Sequence, residues 1–168
     1  DMILSFIILT LLLPLILILI IIISLNSSGG VFYKQVRLGK NSIRFNLYKF
    51  RTMYANSEDA TGPIWAEKND PRITSVGKVL RKFHLDEIPQ LYNVFMGKMS
   101  IVGPRPERPR IINNLIEKIP YYIHRMKVKP GITGWAQIRG TYDANLQDVY
   151  MKLKNDFYYI ENISLFLD

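Results

Sequence analysis

The first 33 residues constrain the fold most, because a run of leucine and isoleucine follows Asp1 and no further side chain that is charged at pH 7 occurs before Lys34. Residues 2–25 are almost purely apolar. As a straight helix of about 24 residues rising about 1.5 Å each, they would reach roughly 36 Å, enough to cross a hydrocarbon core of about 30 Å. A signal peptide would have a shorter apolar core and a basic stretch before it. We therefore predict that residues 1–28 insert into a membrane.

Pro14 stands in the middle of this apolar run. Inside a helix, proline removes one backbone hydrogen bond and clashes with the preceding turn, at a cost of about 3 kcal/mol. The helix should therefore break or bend there. Two topologies follow, a bent span and a helix-break-helix that enters one leaflet and returns, and helix physics alone does not choose between them.

Positive charge is confined to the remainder of the chain. All 22 Lys and Arg lie in residues 34–168 with 13 of the 14 Asp and Glu, an excess of nine positive charges. A basic domain beside a membrane helix is attracted to anionic lipid at the cytoplasmic face. Nucleic-acid binding is a weak alternative, because the cations are dispersed and no nucleic-acid motif is present. We predict no nucleic-acid partner.

The amino-acid composition also limits metal chemistry. The chain has no cysteine and two histidines, which excludes disulfides and thiolate metal sites and makes a zinc enzyme unusual. A metal ion, if used, would be a hard, oxygen-bound cation such as Mg²⁺. The ends look cropped, since Asp1 is not an initiator methionine.

Residues 29–168 predict a small α+β domain on the cytoplasmic side of the membrane. Segments 31–38 and 43–53 read as a β-hairpin around a turn at 39–41. Residues 107–119 and 145–160 carry apolar side chains at helical spacing, so we expect amphipathic helices that either pack on the core or lie in the headgroup layer. Residues 54–72 have no clear period and predict a long loop of the kind that can cover a binding site.

Adjacent carboxylates at Asp86 and Glu87 are the main candidates for chemistry. Two neighbouring acids in different surroundings suit a site in which one attacks while the other binds a metal or moves a proton. The alternative is an ordinary helix start, because Asp is a favoured N-cap and both Glu and Pro89 suit a first turn. The residue types alone leave both interpretations open.

Other charged residues occupy positions that favour burial. On the second strand, Lys49 and Arg51 continue a face that begins as apolar, so they either meet anionic partners or emerge into water. Asp156 falls beside the apolar stripe of the last helix and should be partly buried beside a cation or hydrogen-bond donor.

Seven blocks, in order, resemble the bacterial sugar transferases called monotopic phosphoglycosyl transferases. The blocks are Lys-Gln-x-Arg-x-Gly at 34–39, Tyr-Lys-Phe-Arg-Thr-Met at 48–53, Asp-Pro-Arg-Ile at 70–73, Leu-Asp-Glu-Ile-Pro-Gln at 85–90, Met-Ser-Ile-Val-Gly-Pro-Arg-Pro at 99–106, Lys-Pro-Gly-Ile-Thr-Gly-Trp-Ala-Gln at 129–137 and Asp-Phe-Tyr-Tyr at 156–159. They cover nearly the whole chain, which makes coincidence implausible.

The resemblance implies an enzyme of the bacterial inner membrane that acts at its cytoplasmic face. It would move a sugar-1-phosphate from a UDP-sugar to undecaprenyl phosphate and release UMP, which initiates a surface glycan such as exopolysaccharide, capsule or O-antigen. Asp86 would attack and carry a covalent phosphosugar, Glu87 would assist, and both carboxylates would bind Mg²⁺. The resemblance also implies a re-entrant membrane helix broken at Pro14, in contact with membrane lipid.

Such a reaction needs positive charge around the attacking carboxylate, because both the diphosphate donor and the leaving UMP are anionic. We expect Asp156 to pair with one of the phosphate-binding cations or to approach the metal. Some family members carry an arginine at the position of Thr141, and Arg139 is the candidate substitute here. The predicted phosphate-binding residues are Lys49, Arg51, Arg81, Arg139 and Arg105, the last between two prolines that restrict its backbone.

Two other classes of function remain compatible with these residues. The first is a different membrane-bound lipid phosphotransferase that uses the same carboxylate pair, and release of UMP from UDP-sugars would separate it. The second is a non-catalytic basic membrane adaptor, for which Asp86→Asn should leave function intact. No residue indicates which sugar is transferred.

Overall fold

The computed structural model describes residues 1–57, 70–140, 146–164 and 167–168, and in this part of the chain the predicted mixture of helices and strands is confirmed. Twelve residues of the predicted loop at 54–72, residues 58–69, lie outside the described ranges. The strands are β1 Phe32–Leu38, β2 Arg44–Phe50, β3 Ser100–Val102 and β4 Gly131–Thr133. The helices are α1 Met2–Leu11, α2 Leu13–Asn26, α3 Ser75–Lys82, α4 Gln90–Phe95, α5 Pro109–Lys118, α6 Trp135–Arg139 and α7 Leu146–Glu161, with 3₁₀ segments at Lys40–Ser42, Leu85–Glu87 and Pro120–Lys127.

The apolar N-terminal run forms two helices that meet at Leu12 with a bend of 63°. Pro14 lies in the first turn of α2, where a missing N–H costs no helical hydrogen bond, so the break falls just before the proline. Among the described residues, no single helix is long and apolar enough to cross a membrane, whereas α1 and α2 satisfy that test together. The predicted helix break is thus confirmed, and insertion into a membrane stays a prediction.

Both N-terminal helices contact the rest of the chain along one side. The Phe6 ring of α1 lies 5.7 Å from the Phe95 ring of α4. Leu19 and Ile23 of α2 are buried in a cluster that also contains Phe50 of β2. The opposite sides of both helices remain apolar and exposed, which leaves a large surface that water does not favour.

The predicted hairpin is confirmed as an antiparallel pair of β1 and β2, with Phe32 opposite Phe50 and Leu38 opposite Arg44. The connecting turn contains Asn41 and Ser42 with positive φ of 55° and 60°. β2 ends three residues earlier than predicted, because beyond Phe50 the chain leaves β1 and forms an isolated bridge from Met53 to Ile73.

A short parallel pair, β3 with β4, explains the glycine-rich segment near residue 131. A Cβ atom at Gly103 would lie 2.6 Å from the carbonyl oxygen of Lys129, closer than real contacts allow. The glycine therefore permits two main-chain segments to touch. This contact fixes the start of the loop that carries Arg105.

The two predicted amphipathic helices pack on a shared core. Ile112 of α5, Tyr122 of the 3₁₀ segment and Leu153 of α7 belong to one cluster of buried side chains. The prediction that the apolar faces of these helices pack on the core is therefore confirmed. α5 begins at Pro109, two residues later than predicted, since proline suits a first helical turn.

Candidate functional site

Asp86 and Glu87 lie in the 3₁₀ turn Leu85–Glu87 and not at the start of an α-helix. α4 begins later, its N-cap is Pro89, and no side chain caps it. The helix-start interpretation of Asp86 is therefore wrong. His84, with a left-handed φ of 54°, changes the direction of the chain between α3 and this turn. Ile88 and Pro89 lie between the carboxylates and the first residue of α4.

Glu87 is neutralised by two cations at one oxygen. Its Oε1 accepts a 2.6 Å hydrogen bond from Lys49 Nζ and a 2.8 Å hydrogen bond from Arg105 Nη2. Burial opposes ionisation of this carboxyl group, but the charges and hydrogen bonds of Arg105 and Lys49 outweigh it and lower the pKa of Glu87 to about 2. Glu87 is therefore a carboxylate at every physiological pH.

Asp86 has a different environment although it is the next residue. It is 7% exposed, and its closest cation among the described residues is Lys49 Nζ at 4.0 Å. Burial raises the pKa of Asp86, with a further increase from the negative charge of Glu87, while Lys49 and Arg81 act in the opposite direction. The charge of Glu87 is thus well neutralised by nearby cations, whereas Asp86 is a more basic carboxylate with little neutralising charge beside it. Such a difference between neighbouring acids suits different chemical roles.

A buried amide, which sequence analysis missed, fastens the strand that carries Lys49. Asn93 of α4 is 3% exposed. Its Oδ1 accepts from the Tyr48 N–H at 3.1 Å, and its Nδ2 donates to the Asn46 carbonyl at 2.8 Å. The side chain replaces a neighbouring strand at the edge of β2 and holds Lys49 opposite Glu87. The signal in the sequence was an amide side chain between Tyr92 and the apolar Val94.

The loop that carries Arg105 is held by its main chain. The carbonyl of Arg105 accepts from Arg125 Nη2 at 3.1 Å, and the carbonyl of Pro106 accepts from Arg37 Nη1 at 3.1 Å. The carbonyl of Glu107 accepts from the Leu38 N–H at 3.1 Å. Flanking prolines are thus only part of the restraint. Sequence analysis named neither Arg37 nor the buried Arg125 as a site residue.

Two predicted phosphate-binding cations lie in different places. Arg81 Nε donates to Thr52 Oγ1 at 2.8 Å, close enough for its charge to act on Asp86. Arg51 instead donates to the main-chain carbonyls of Ser27 and Ser28, at the joint between α2 and β1. The structure therefore brings Lys49 and Arg105 to the carboxylate pair, Arg81 near it, and Arg51 to the joint.

Asp156 is buried and paired, as predicted, but with a cation that was not among the candidates. It is 2% exposed, and its Oδ2 lies 2.7 Å from Arg125 Nη2 and 2.9 Å from Arg125 Nε. Arg125 is the partner because the 3₁₀ segment Pro120–Lys127 packs on α7. The expectation of pairing with Lys49, Arg51, Arg81 or Arg105 was wrong, and the alternative that Asp156 approaches the metal stays a prediction.

Arg139 is exposed on α6, with its guanidinium 4.7 Å from the centre of the Trp135 ring. Within the described ranges it makes no ion pair with Asp86 or Glu87. The nearby Trp135 ring stacks on Tyr158 at 5.6 Å. Thr141, the position at which some relatives carry an arginine, lies outside the described residues, so the substrate role of Arg139 stays a prediction.

The two carboxylates at this site fit magnesium binding that is shared with substrate phosphates. In the part of the chain that the structure describes, no three Asp, Glu or His side chains cluster as a metal cage. Mg²⁺ at phosphate sites is commonly held by one or two carboxylates together with substrate phosphates and water. Asp86 and Glu87 supply oxygen ligands of that type, and one Glu87 oxygen is already engaged by cations.

Comparison with known proteins gives a consistent result. A model of the family described as bacterial sugar transferase matches residues 1–168. An Aeromonas hydrophila UDP-N-acetylgalactosamine-undecaprenyl-phosphate N-acetylgalactosaminephosphotransferase is 45% identical over 168 residues, which is all of this chain and 40% of that protein. The UDP-glucose:undecaprenyl-phosphate glucose-1-phosphate transferase of Escherichia coli K12 is 40% identical over the whole chain and 36% of its own length.

A third relative is nearer in length. The exopolysaccharide production protein PSS of Rhizobium leguminosarum bv. phaseoli is 39% identical over the whole chain, which covers 86% of that protein. The chain spans less than half of the Aeromonas and Escherichia relatives. Those two relatives transfer different sugars according to their names, so similarity does not define the sugar for this chain.

Proposed function

The chain belongs to the bacterial sugar transferase family, and on that basis we propose that it transfers a sugar-1-phosphate from a UDP-sugar to undecaprenyl phosphate and releases UMP. The observation that carries the proposal is the split carboxylate pair. Asp86 is buried and weakly compensated, while its neighbour Glu87 is fixed by Lys49 and Arg105. Such a pair is suited to covalent catalysis by the first carboxylate.

The reaction proceeds in two displacements. A carboxylate oxygen of Asp86 attacks the sugar-bearing phosphorus, a new O–P bond forms, and the O–P bond to UMP breaks with its electron pair on the leaving phosphate. A phosphate oxygen of the lipid then attacks the same phosphorus and breaks its bond to Asp86. The carboxylate is regenerated, and the sugar phosphate is now joined to the lipid.

The residues around Asp86 favour the first displacement in two ways. Burial raises its pKa, which makes the oxygen more basic and more nucleophilic than an ordinary aspartate. Glu87 anchors Lys49 and Arg105 beside it, and these cations offset the charge of the approaching diphosphate. Mg²⁺, held by Asp86 and Glu87 with the donor phosphates, would supply further charge neutralisation at the leaving group.

Arg105 suits direct contact with the donor. Its side chain is 38% exposed, whereas Glu87 beneath it is 12% exposed. The guanidinium therefore binds Glu87 on one side and leaves further donors for a phosphate oxygen on the other. We assign it to the donor phosphates.

The N-terminal helices place the carboxylate pair at the depth of the lipid phosphate in this proposal. Leu85 and Ile88, which flank the pair, pack in the same cluster as Leu19 and Ile23 of α2. The exposed apolar side chains of α1 and α2 belong in lipid. We propose that the bent pair enters the cytoplasmic leaflet of the inner membrane and returns, which holds Asp86 beside an acceptor whose phosphate lies among the headgroups.

An assay of UMP release tests the proposal. The protein in detergent or nanodiscs, with undecaprenyl phosphate and Mg²⁺, is offered a panel of UDP-sugars that includes UDP-glucose and UDP-N-acetylgalactosamine. We expect many equivalents of UMP per protein with at least one donor when the lipid acceptor is present, and at most one equivalent without it. Asp86→Asn should abolish release, whereas Asp148→Asn, in the first turn of α7, should not. Undiminished release by Asp86→Asn would refute the nucleophile role and favour another phosphotransfer mechanism, whereas no release by the wild type from any donor would favour an adaptor.

A further inference from the structure

A buried arginine, Arg125, contacts the loop whose Arg105 side chain binds Glu87. Arg125 is 3% exposed, and each of its guanidinium nitrogens has a partner. Nε and Nη2 bind Asp156, Nη1 donates to the Tyr122 hydroxyl at 2.7 Å, and Nη2 also donates to the carbonyl oxygen of Arg105 at 3.1 Å. Burying a guanidinium is costly unless its nitrogens are paired, and here all three nitrogens have partners, so this geometry is strongly specified.

The bond to the Arg105 carbonyl is not needed to neutralise the buried charge, because Asp156 already does that. Its effect is to fix the main chain of Arg105. The Arg105 side chain is more than a third exposed, so packing constrains it little, and the direction of its guanidinium depends on where its backbone is held. The same residue reaches Glu87 Oε1 at 2.8 Å through Nη2.

We infer that Arg125, oriented by Asp156, is a positioning residue that fixes the backbone of Arg105 and so aims its guanidinium at Glu87 and at the donor phosphates. The contact with the phosphates rests on the proposed function. The contact with Glu87 rests on the geometry alone.

Arg125→Lys is the informative variant. Lysine keeps a positive charge opposite Asp156, but a single ammonium cannot reproduce the planar fork that binds Asp156, Tyr122 and the Arg105 carbonyl together. We expect kcat for UMP release to fall about tenfold, less than the roughly hundredfold that a 1 Å misplacement can cause, because the Arg105 guanidinium shifts but is not lost. KM for the UDP-sugar should change less, since other cations still bind the donor.

A double-mutant cycle separates positioning from general destabilisation. If Arg125 acts through Arg105, Arg125→Lys should lower kcat by less than about twofold when Arg105→Ala is already present. Leu153→Ala is the matched control, because it weakens the buried cluster that also contains Tyr122 but removes no hydrogen-bonding group from the Arg125 network. A tenfold loss that persists in the Arg105→Ala background, or that Leu153→Ala reproduces at equal loss of thermal stability, would overturn the inference.

A measurement independent of activity completes the test. The ¹H–¹⁵N resonance of the Arg105 Nε–H group, assigned by its disappearance in Arg105→Lys, should move in Arg125→Lys and stay unchanged in Leu153→Ala. An unmoved resonance would overturn the inference whatever the kinetics. If the wild-type protein released no UMP from any donor, the proposed function would fail, and this resonance alone would decide the positioning role.

Asp156→Asn provides a second variant if Arg125→Lys does not fold, as judged by circular dichroism. It preserves the side-chain shape and removes the charge that orients Arg125. We expect the same displacement of the Arg105 resonance and the same loss of coupling in the Arg105→Ala background. A normal resonance in folded Asp156→Asn would contradict orientation of Arg125 by Asp156.

Discussion

Glu87→Gln should destabilise the protein strongly and in a pH-dependent way. The pKa of Glu87 is lowered from 4.5 to about 2 by Arg105 and Lys49 against the opposing effect of burial. A shift of that size corresponds to roughly 3 kcal/mol of stability at pH 7, at about 1.4 kcal/mol per pKa unit. Glu87 is 12% exposed, so solvent screens little of this. Glutamine has nearly the same shape but no charge, so the variant isolates the electrostatic contribution.

The sign of the pH dependence follows from the lowered pKa. The ionised form is favoured in the folded state, so this stability is complete above the unfolded pKa of 4.5 and is lost as pH falls towards 2. At pH 7 the variant should melt roughly 6–12 °C lower than the wild type. At pH 3 the contribution of Glu87 to the free energy of unfolding should shrink to roughly 1 kcal/mol. The difference in melting temperature between the wild type and the variant should therefore be smaller than at pH 7.

Thermal unfolding in one detergent at both pH values measures this difference. Glu117→Gln, on the exposed face of α5, is the matched control and should change the melting temperature little. A loss of less than 2 °C for Glu87→Gln at pH 7, or a gap that does not narrow at pH 3, would refute the assignment of Glu87 as the fixed carboxylate beneath Lys49 and Arg105.

Three further outcomes follow from the site. Asp86→Asn should raise the melting temperature by a few °C at pH 7, because the raised pKa of Asp86 means that its buried anion destabilises the folded state. The gain in melting temperature should vanish near pH 4, where the carboxyl group is largely protonated. Differential scanning calorimetry measures the melting temperature at both pH values. Asn93→Leu should cut kcat about tenfold, because it removes both hydrogen bonds that hold β2 opposite Glu87, whereas Tyr92→Leu on the exposed side should not. Gly103→Ala should lower the free energy of unfolding by roughly 2 kcal/mol or more, because the added Cβ would collide with the Lys129 carbonyl oxygen. A lower urea midpoint and lower expression would show this loss.

Local patterns predicted much of the secondary structure, because periodicity and breakers act over short distances. The hairpin, the two amphipathic helices and the break near Pro14 were all visible in this way. The limits of single elements were less accurate. β2 stopped at Phe50 because the chain turned towards Ile73, which pairs with Met53 from 20 residues further along the chain and which no local pattern reveals.

The candidate site was predicted in its chemistry but not in all its contacts. Burial of Asp156 followed from its position beside an apolar stripe, yet its partner Arg125 comes from a segment 31 residues earlier. Arg51 was chosen because it shares a strand face with Lys49, but the strand ends between them and Arg51 turns to the Ser27 and Ser28 carbonyls. Pairings of this kind depend on tertiary packing, which sequence spacing does not encode.

The central claim is that Asp86 carries the sugar phosphate during turnover. Intact-mass spectrometry of the protein mixed with a UDP-sugar, without lipid acceptor, tests it most directly. We predict an added mass equal to one sugar phosphate, its removal when undecaprenyl phosphate is added, and its absence in Asp86→Asn. An adduct that forms equally in Asp86→Asn, or turnover by the wild type with no adduct at any time, would contradict the claim.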